Sequence, residues 1–159
     1  MDEEQMRRFE SSYDAYGAMV YRLAMVYLGR RADAEDVTQE VFCRLLWRAP
    51  AFLDEAHEKR WLLQVTTNLC KDQLKGFWRK RAAALDVDIP TEHQADQGVL
   101  EAILALPETY KGPIHLHYYE GYSAREIGSL LGEKPATVFT RLERGRQKLR
   151  TYLEQEDLI

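Results

Sequence analysis

The chain has little cysteine, no long apolar run and no stretch in which apolar and polar residues alternate. Each absence excludes something. Among 159 residues only Cys43 and Cys70 carry a thiol. Two cysteines so spaced make neither a disulfide framework nor a zinc pattern, and both read as small buried hydrophobes. The longest uninterrupted apolar run, Leu23 to Leu28, is six residues. A bilayer span needs about 20, so no stable membrane insertion is expected. The first residues, Asp2, Glu3 and Glu4 after the initial Met1, are acidic with no apolar stretch behind them. That is not a secretory leader, and the expected location is cytoplasmic. A Gly-rich phosphate loop, a nucleophile elbow and an H-E-x-x-H motif are all missing. His115 and His117 form an H-x-H, but positions two apart on a helix face different ways. With no cysteine or carboxylate at ligand spacing, no metal site is expected. Neither catalysis nor a cofactor is expected.

What is present is a folded composition with an uneven charge distribution. Hydrophobic residues make up 45% of the chain and charged residues 30%, with a net charge of −4. That is the composition of a folded chain and not of a disordered tail. The overall sign argues against indiscriminate nucleic-acid binding. Yet residues 71–81 (KDQLKGFWRKR) hold five basic side chains and one acidic, and residues 141–150 (RLERGRQKLR) repeat that balance. Between them, residues 82–98 hold four acidic side chains and none basic. Two sharply basic segments in an acidic chain suggest two separate anionic contacts.

The apolar spacing is helical throughout. Met6, Phe9, Tyr13, Tyr16, Val20, Leu23 and Tyr27 recur at steps of three and four, which predicts one long amphipathic helix ended by Gly29. Asp33 is placed to cap a second helix carrying Val37, Val41, Phe42 and Leu45, stopped by Pro50. After a loop over about 50–58, a third helix is expected from about Glu58 to Arg81. Residues 82–98, with Pro90, Gly98 and little periodicity, read as a linker. Helices resume at Val99, and Pro107 fits the first turn of the next. Ser123 and Glu126 have capping-box spacing. Gly132 ends the short helix that follows, and Pro135 opens the last. The expected architecture is all-α: two small helical domains, 1–81 and 99–159, joined by a short acidic linker, 82–98.

Three constellations could carry function. The capped helix, the turn at Gly132 and the last helix form a helix-turn-helix pattern. Val138, Leu142 and Leu149 are expected inward, leaving Thr140, Arg141, Arg144 and Lys148 for a DNA groove; an ordinary helical hairpin with a solvated basic face fits the same residues. The second is the run Lys71 to Arg81. There Phe77 and Trp78 lie among Lys75, Arg79, Lys80 and Arg81, a mixture suited to backbone tracking and base stacking. A helix end with core aromatics flanked by snorkelling cations reads equally well. The third is Asp36, Gln39 and Glu40, which share one helix face, with Phe42 and Leu46 near its continuation. A polar-acidic patch beside apolar groups suits protein docking, and a solvated face is the plainer reading.

These segments together resemble a known family. Residues 34–46 (AEDVTQEVFCRLL) are similar to region 2.2 of bacterial RNA polymerase sigma factors. Residues 61–74 (WLLQVTTNLCKDQL) resemble regions 2.3 and 2.4 of its small extracytoplasmic-function (ECF) group. Residues 106–110 (LPETY), 120–128 (EGYSAREIG) and 136–146 (ATVFTRLERGR) resemble region 4. Order, spacing and length match that minimal two-domain group over nearly the whole chain. The resemblance implies a sigma factor that binds core RNA polymerase, directs it to promoter DNA and helps open the duplex. It implies docking through Asp36, Gln39, Glu40 and Leu46. It implies minus-10 contacts from Phe52, Asn68, Lys71, Lys75, Trp78, Arg79, Lys80 and Arg81, with Asn68 at a pocket for a flipped base. For the minus-35 element it implies Arg125, Thr137, Phe139, Thr140, Arg141, Arg144 and Lys148. It also implies an anti-sigma factor as partner. Phe139 and Glu143 depart from the family's usual residues, which are often Lys or Arg at the first and His or Phe at the second. The alternative reading is a stand-alone helix-turn-helix transcriptional regulator.

Overall fold

The computed structural model describes residues 2–77 and 94–155, and the described residues form seven α-helices. The chain divides into two compact units, residues 1–84 and 85–159.

In the first unit α1 (Glu3–Leu28), α2 (Arg31–Arg48) and α3 (Glu55–Phe77) pack pairwise around one core. Asp2 starts α1 with a capping box. Its carboxylate accepts the Gln5 N–H at 2.7 Å, and Gln5 Oε1 accepts the Asp2 N–H at 3.1 Å. Gly29 ends α1 in the left-handed region, φ 70°, where its N–H donates to the Met25 carbonyl. The chain re-enters helix after a single extended residue, Arg30. Asp33 therefore lies in the first turn of α2 instead of capping it, where its charge still complements the helix dipole. α3 begins at Glu55, earlier than expected, because Asp54 acts as its cap: the Asp54 carboxylate accepts the His57 N–H at 2.8 Å. Val20, Leu23, Val37, Val41, Phe42, Leu62 and Leu63 fill the core. The buried hydroxyls of Thr38 and Thr66 donate to carbonyls four residues back, Ala34 and Leu62, at 2.7 and 2.6 Å. No helix among the described residues is long and apolar enough to cross a membrane.

Two further expectations are corrected in this unit. Phe42 is not beside the docking face: it is 1% exposed and meets Tyr13 and Phe9 edge-on, with centroids 5.1 and 6.2 Å apart. Cys43 is exposed while Cys70 is buried, since one residue beyond Phe42 the helix has turned its side chain outward.

The second unit holds α4 (Gln94–Leu104), α5 (Glu108–Tyr118), α6 (Ala124–Leu131) and α7 (Pro135–Gln155). Helix α4 starts five residues before the expected resumption at Val99 and runs through Gly98. A glycine inside a helix costs about 1 kcal/mol relative to alanine, which the burial of Ala102, Ile103 and Leu104 outweighs. Pro107 stands one place before α5, as its N-cap. The capping box at α6 forms as expected: Ser123 Oγ accepts the Glu126 N–H at 3.1 Å, and Glu126 Oε1 accepts the Ser123 N–H at 3.0 Å. Gly132 ends α6 at φ 67°. Two close approaches set how α7 lies on its neighbours. A Cβ on Gly128 would sit 2.7 Å from the Glu133 carbonyl oxygen, and one on Gly145 would sit 2.9 Å from Ile114 Cγ1.

Candidate functional site

The first candidate surface is the outer face of α2. Asp36, Gln39 and Glu40 are all exposed, and Glu40 is held by Arg44, one turn on, at 3.1 Å. The same stripe continues through Cys43 to Trp47, at steps of three and four. Trp47 is 65% exposed, whereas Leu46 is half-buried. Trp47 lies outside the three constellations read from the sequence. Its signal was available: it is the next residue on the face that Asp36, Glu40 and Cys43 define.

Behind this face lies a groove of about 710 Å³, with Phe9, Tyr16, Leu46, Trp47, Phe52 and Glu58 in its lining. Its lining has mixed charge, Glu4, Glu55 and Glu58 with Arg7 and Arg8. Ser12 Oγ donates to Glu58 Oε1 at 2.6 Å. Burial, with the Glu58 and Glu55 carboxylates nearby, pushes the Tyr16 hydroxyl pKa up.

The second surface combines the α2–α3 loop with α3. Phe52 is half-buried and meets both His57 and Trp61 nearly edge-on, at 5.2 and 5.7 Å. The loop is tied further by the Leu53 N–H, which donates to His57 Nδ1 at 3.0 Å. It presents Leu53, 88% exposed, rather than the Phe52 ring. Asn68 and Lys75 are exposed and Lys71 half-buried. Their spacing of three and four places them on one side of α3, with Gln64 preceding them. Trp78, Arg79, Lys80 and Arg81 lie outside the described residues. Cys70, on the inner side of α3, is inert by placement: burial pushes its thiol pKa far up.

The third surface is α6 with α7. Val138, Leu142 and Gly145 face inward, and Leu149 is half-buried. Arg125, Phe139, Thr140, Arg144 and Lys148 are exposed and Thr137 is half-buried. The set does not share one face. Arg141 Nη1 is paired with Glu133 Oε1 at 3.0 Å, across the turn between the helices. The Thr140 hydroxyl donates to the Ala136 carbonyl at 3.1 Å. Arg144 and Lys148 border a groove between α4 and α7 whose floor includes Ala102 and Leu106. Phe139, 65% exposed, lies toward the opposite flank. Glu133 was not singled out from the sequence, because its pairing with Arg141 is a contact across a turn.

Elsewhere in this unit, buried His115 stacks on Tyr119 at 5.2 Å, and His117 Nδ1 lies 2.8 Å from the Tyr122 carbonyl oxygen. Both imidazoles serve packing and the α5–α6 connection. No metal-ligand cluster occurs among the described residues.

Family models match both halves of the chain. Residues 12–82 match the family model for sigma-70 region 2, and residues 96–149 match that for sigma-70 region 4. The chain is 36% identical to the ECF RNA polymerase sigma factor SigE of Mycolicibacterium smegmatis, over 96% of this chain and 64% of that protein's length. It is 31% identical to the ECF RNA polymerase sigma factor SigW of Bacillus subtilis, over 91% of this chain and 88% of SigW. Among solved structures, the fold is similar to that of the sigma factor RpoE of Bartonella quintana, seen with the anti-sigma factor NepR. The TM-score there is 0.78 at 19% identity, covering 93% of this chain and 98% of RpoE. On the strength of both region matches in order and of its likeness to SigW along nearly all of either chain, this chain belongs to the ECF group of sigma-70 RNA polymerase sigma factors.

Proposed function

We propose that this chain docks on core RNA polymerase through the outer face of α2 and gives the enzyme its promoter specificity from two separate DNA-reading surfaces. The observation that carries the reading is the division of labour between faces. An exposed polar-acidic stripe on α2 shares a unit with the Asn68, Lys71 and Lys75 side of α3, while the second unit carries a capped helix-turn-helix. In this reading Asp36, Gln39 and Glu40 make the polar docking contacts, with Leu46 and Trp47 adding apolar area; an exposed Trp is a common anchor of protein interfaces. The α2–α3 loop, with Phe52 as its brace, and Asn68 receive an unstacked minus-10 base. Lys71 and Lys75, continued by Trp78, Arg79, Lys80 and Arg81, hold the backbone beside it. Arg125, Thr137, Phe139, Thr140, Arg141, Arg144 and Lys148 serve the minus-35 element. The chain is a specificity subunit and not an enzyme. Its place of action is the cytoplasm, where the polymerase works. A protein antagonist is an expected partner, as NepR is for RpoE.

The test is co-elution of the full chain with bacterial core RNA polymerase on a sizing column, beside the variant Asp36→Ala/Gln39→Ala/Glu40→Ala. A stable complex, lost in the triple variant, is expected. A folded chain that ignores active core and instead binds operator duplex as a dimer would make it a stand-alone regulator.

A further inference from the structure

The outward face of α7 carries two side chains ill-suited to a phosphate backbone. Phe139 is 65% exposed, and Glu143, one turn further, is exposed as well. With Val138, Leu142 and Gly145 turned to the core, helical geometry puts Ala136, Phe139, Thr140, Glu143 and Arg144 on the side that faces away from it. Other cations of the helix are drawn to its edges. Arg141 is paired with Glu133 at 3.0 Å, the Arg146 guanidinium lies 5.8 Å from the Tyr118 ring centroid, and Lys148 Nζ lies 5.9 Å from that of Tyr110. Basic groups at the edges suit the phosphates that border a groove. Arg144 shares this side and suits a phosphate or a guanine; Phe139 and Glu143 suit neither, and for them the edges of other bases are the target.

The chemistry of those edges narrows the choice. The apolar group of the major groove is the thymine C5-methyl, which an aromatic face covers well. A carboxylate needs a donor, and the groove offers only the cytosine N4 and adenine N6 amino groups. Adenine sets its N7 acceptor beside N6, which repels the second carboxylate oxygen; cytosine has no such neighbour. Four residues of helix rise about 6 Å, and one base step of a strand rises about 3.4 Å. Resting on the promoter-reading role proposed above, we infer that Phe139 and Glu143 are the specificity-determining pair of α7, reading a thymine and a cytosine one or two base steps apart in the upstream promoter element.

The experiment is transcription by holoenzyme, assembled from the full chain and core polymerase, on duplex templates randomised through both promoter elements, with the productive templates sequenced. The wild type is expected to enrich thymine and cytosine at two such positions, each roughly fivefold or more over other bases, the low end of a direct base contact. Phe139→Ala should flatten the thymine preference alone. Glu143→Gln should move the cytosine preference toward adenine, since a glutamine amide pairs with adenine N6 and N7. Both side chains are exposed, so both variants should fold; Phe139→Gln supplies the same readout if the alanine variant does not. An upstream preference that these substitutions leave unchanged, or one without the thymine and cytosine, overturns the inference and leaves the sigma reading standing. If the wild-type holoenzyme selects no template at all, both fall.

Discussion

Gly128→Ala tests whether α7 is held in place by a close backbone approach. By local preference the change is favourable, because alanine is better than glycine in a helix by about 1 kcal/mol. The tertiary structure reverses the sign. The new Cβ would lie 2.7 Å from the Glu133 carbonyl oxygen, well inside the 3.4 Å at which ordinary contact begins. The obstacle is backbone, so no rotamer change relieves it. The turn must shift, and that turn is bonded through Gly128 itself, whose carbonyl accepts the N–H groups of Gly132 and Glu133, the latter at 2.9 Å. Overpacking costs about 1–3 kcal/mol, and each weakened hydrogen bond adds about 0.5–1.5 kcal/mol. Less the propensity gain, the net destabilisation is about 1–5 kcal/mol. For a unit of this size each kcal/mol is worth about 4–8 °C of melting temperature. Because the chain has two units, amide exchange resolved by helix is the better assay. Protection should fall in α6 and α7 and stay unchanged in α1–α3, while Ser129→Ala, exposed on the same helix, should lose none. A Gly128→Ala chain as protected as wild type in α6 and α7 would refute the reasoning.

Other perturbations probe each unit separately. Phe42→Ala removes a fully buried ring wedged against Phe9 and Tyr13 and should cost about 3–5 kcal/mol, read by urea denaturation of the first unit; a loss below about 1 kcal/mol would contradict this packing. At neutral pH one thiol, Cys43, should be alkylated, and Cys70 only after denaturation, as mass spectrometry of the modified peptides would show. Burial lowers the pKa of Lys111 from its ordinary 10.5, with Glu108 partly offsetting it. Between the folded value and 10.5 the unfolded chain then holds more protons, so stability of the second unit should rise with pH through that window. Lys111→Met should flatten the rise, and a slope that survives the substitution would assign it to another group.

The seven helices were largely legible because their signals are local. The stripe from Met6 to Tyr27, the Ser123–Glu126 box and the stops at Gly29 and Gly132 each rest on residues three or four apart, where geometry is dictated by the helix itself. That Asp36, Gln39 and Glu40 share an exposed face of α2 was legible for the same reason, since it holds whatever packs behind them. Boundaries were misplaced where the apolar pattern carries no mark of the helix start: Asp54 caps α3 and starts it early, and α4 begins at Gln94, before the apolar residues that signal it. Tertiary structure alone settled which side of each helix is covered. It turned Phe42 into the core and Cys43 out of it, braced Phe52 between His57 and Trp61, and drew Arg141 to Glu133. It also made Gly128 and Gly145 points of contact between elements. Such outcomes depend on atoms brought together from different helices, and an apolar or charged residue carries no local mark of the partner it will meet.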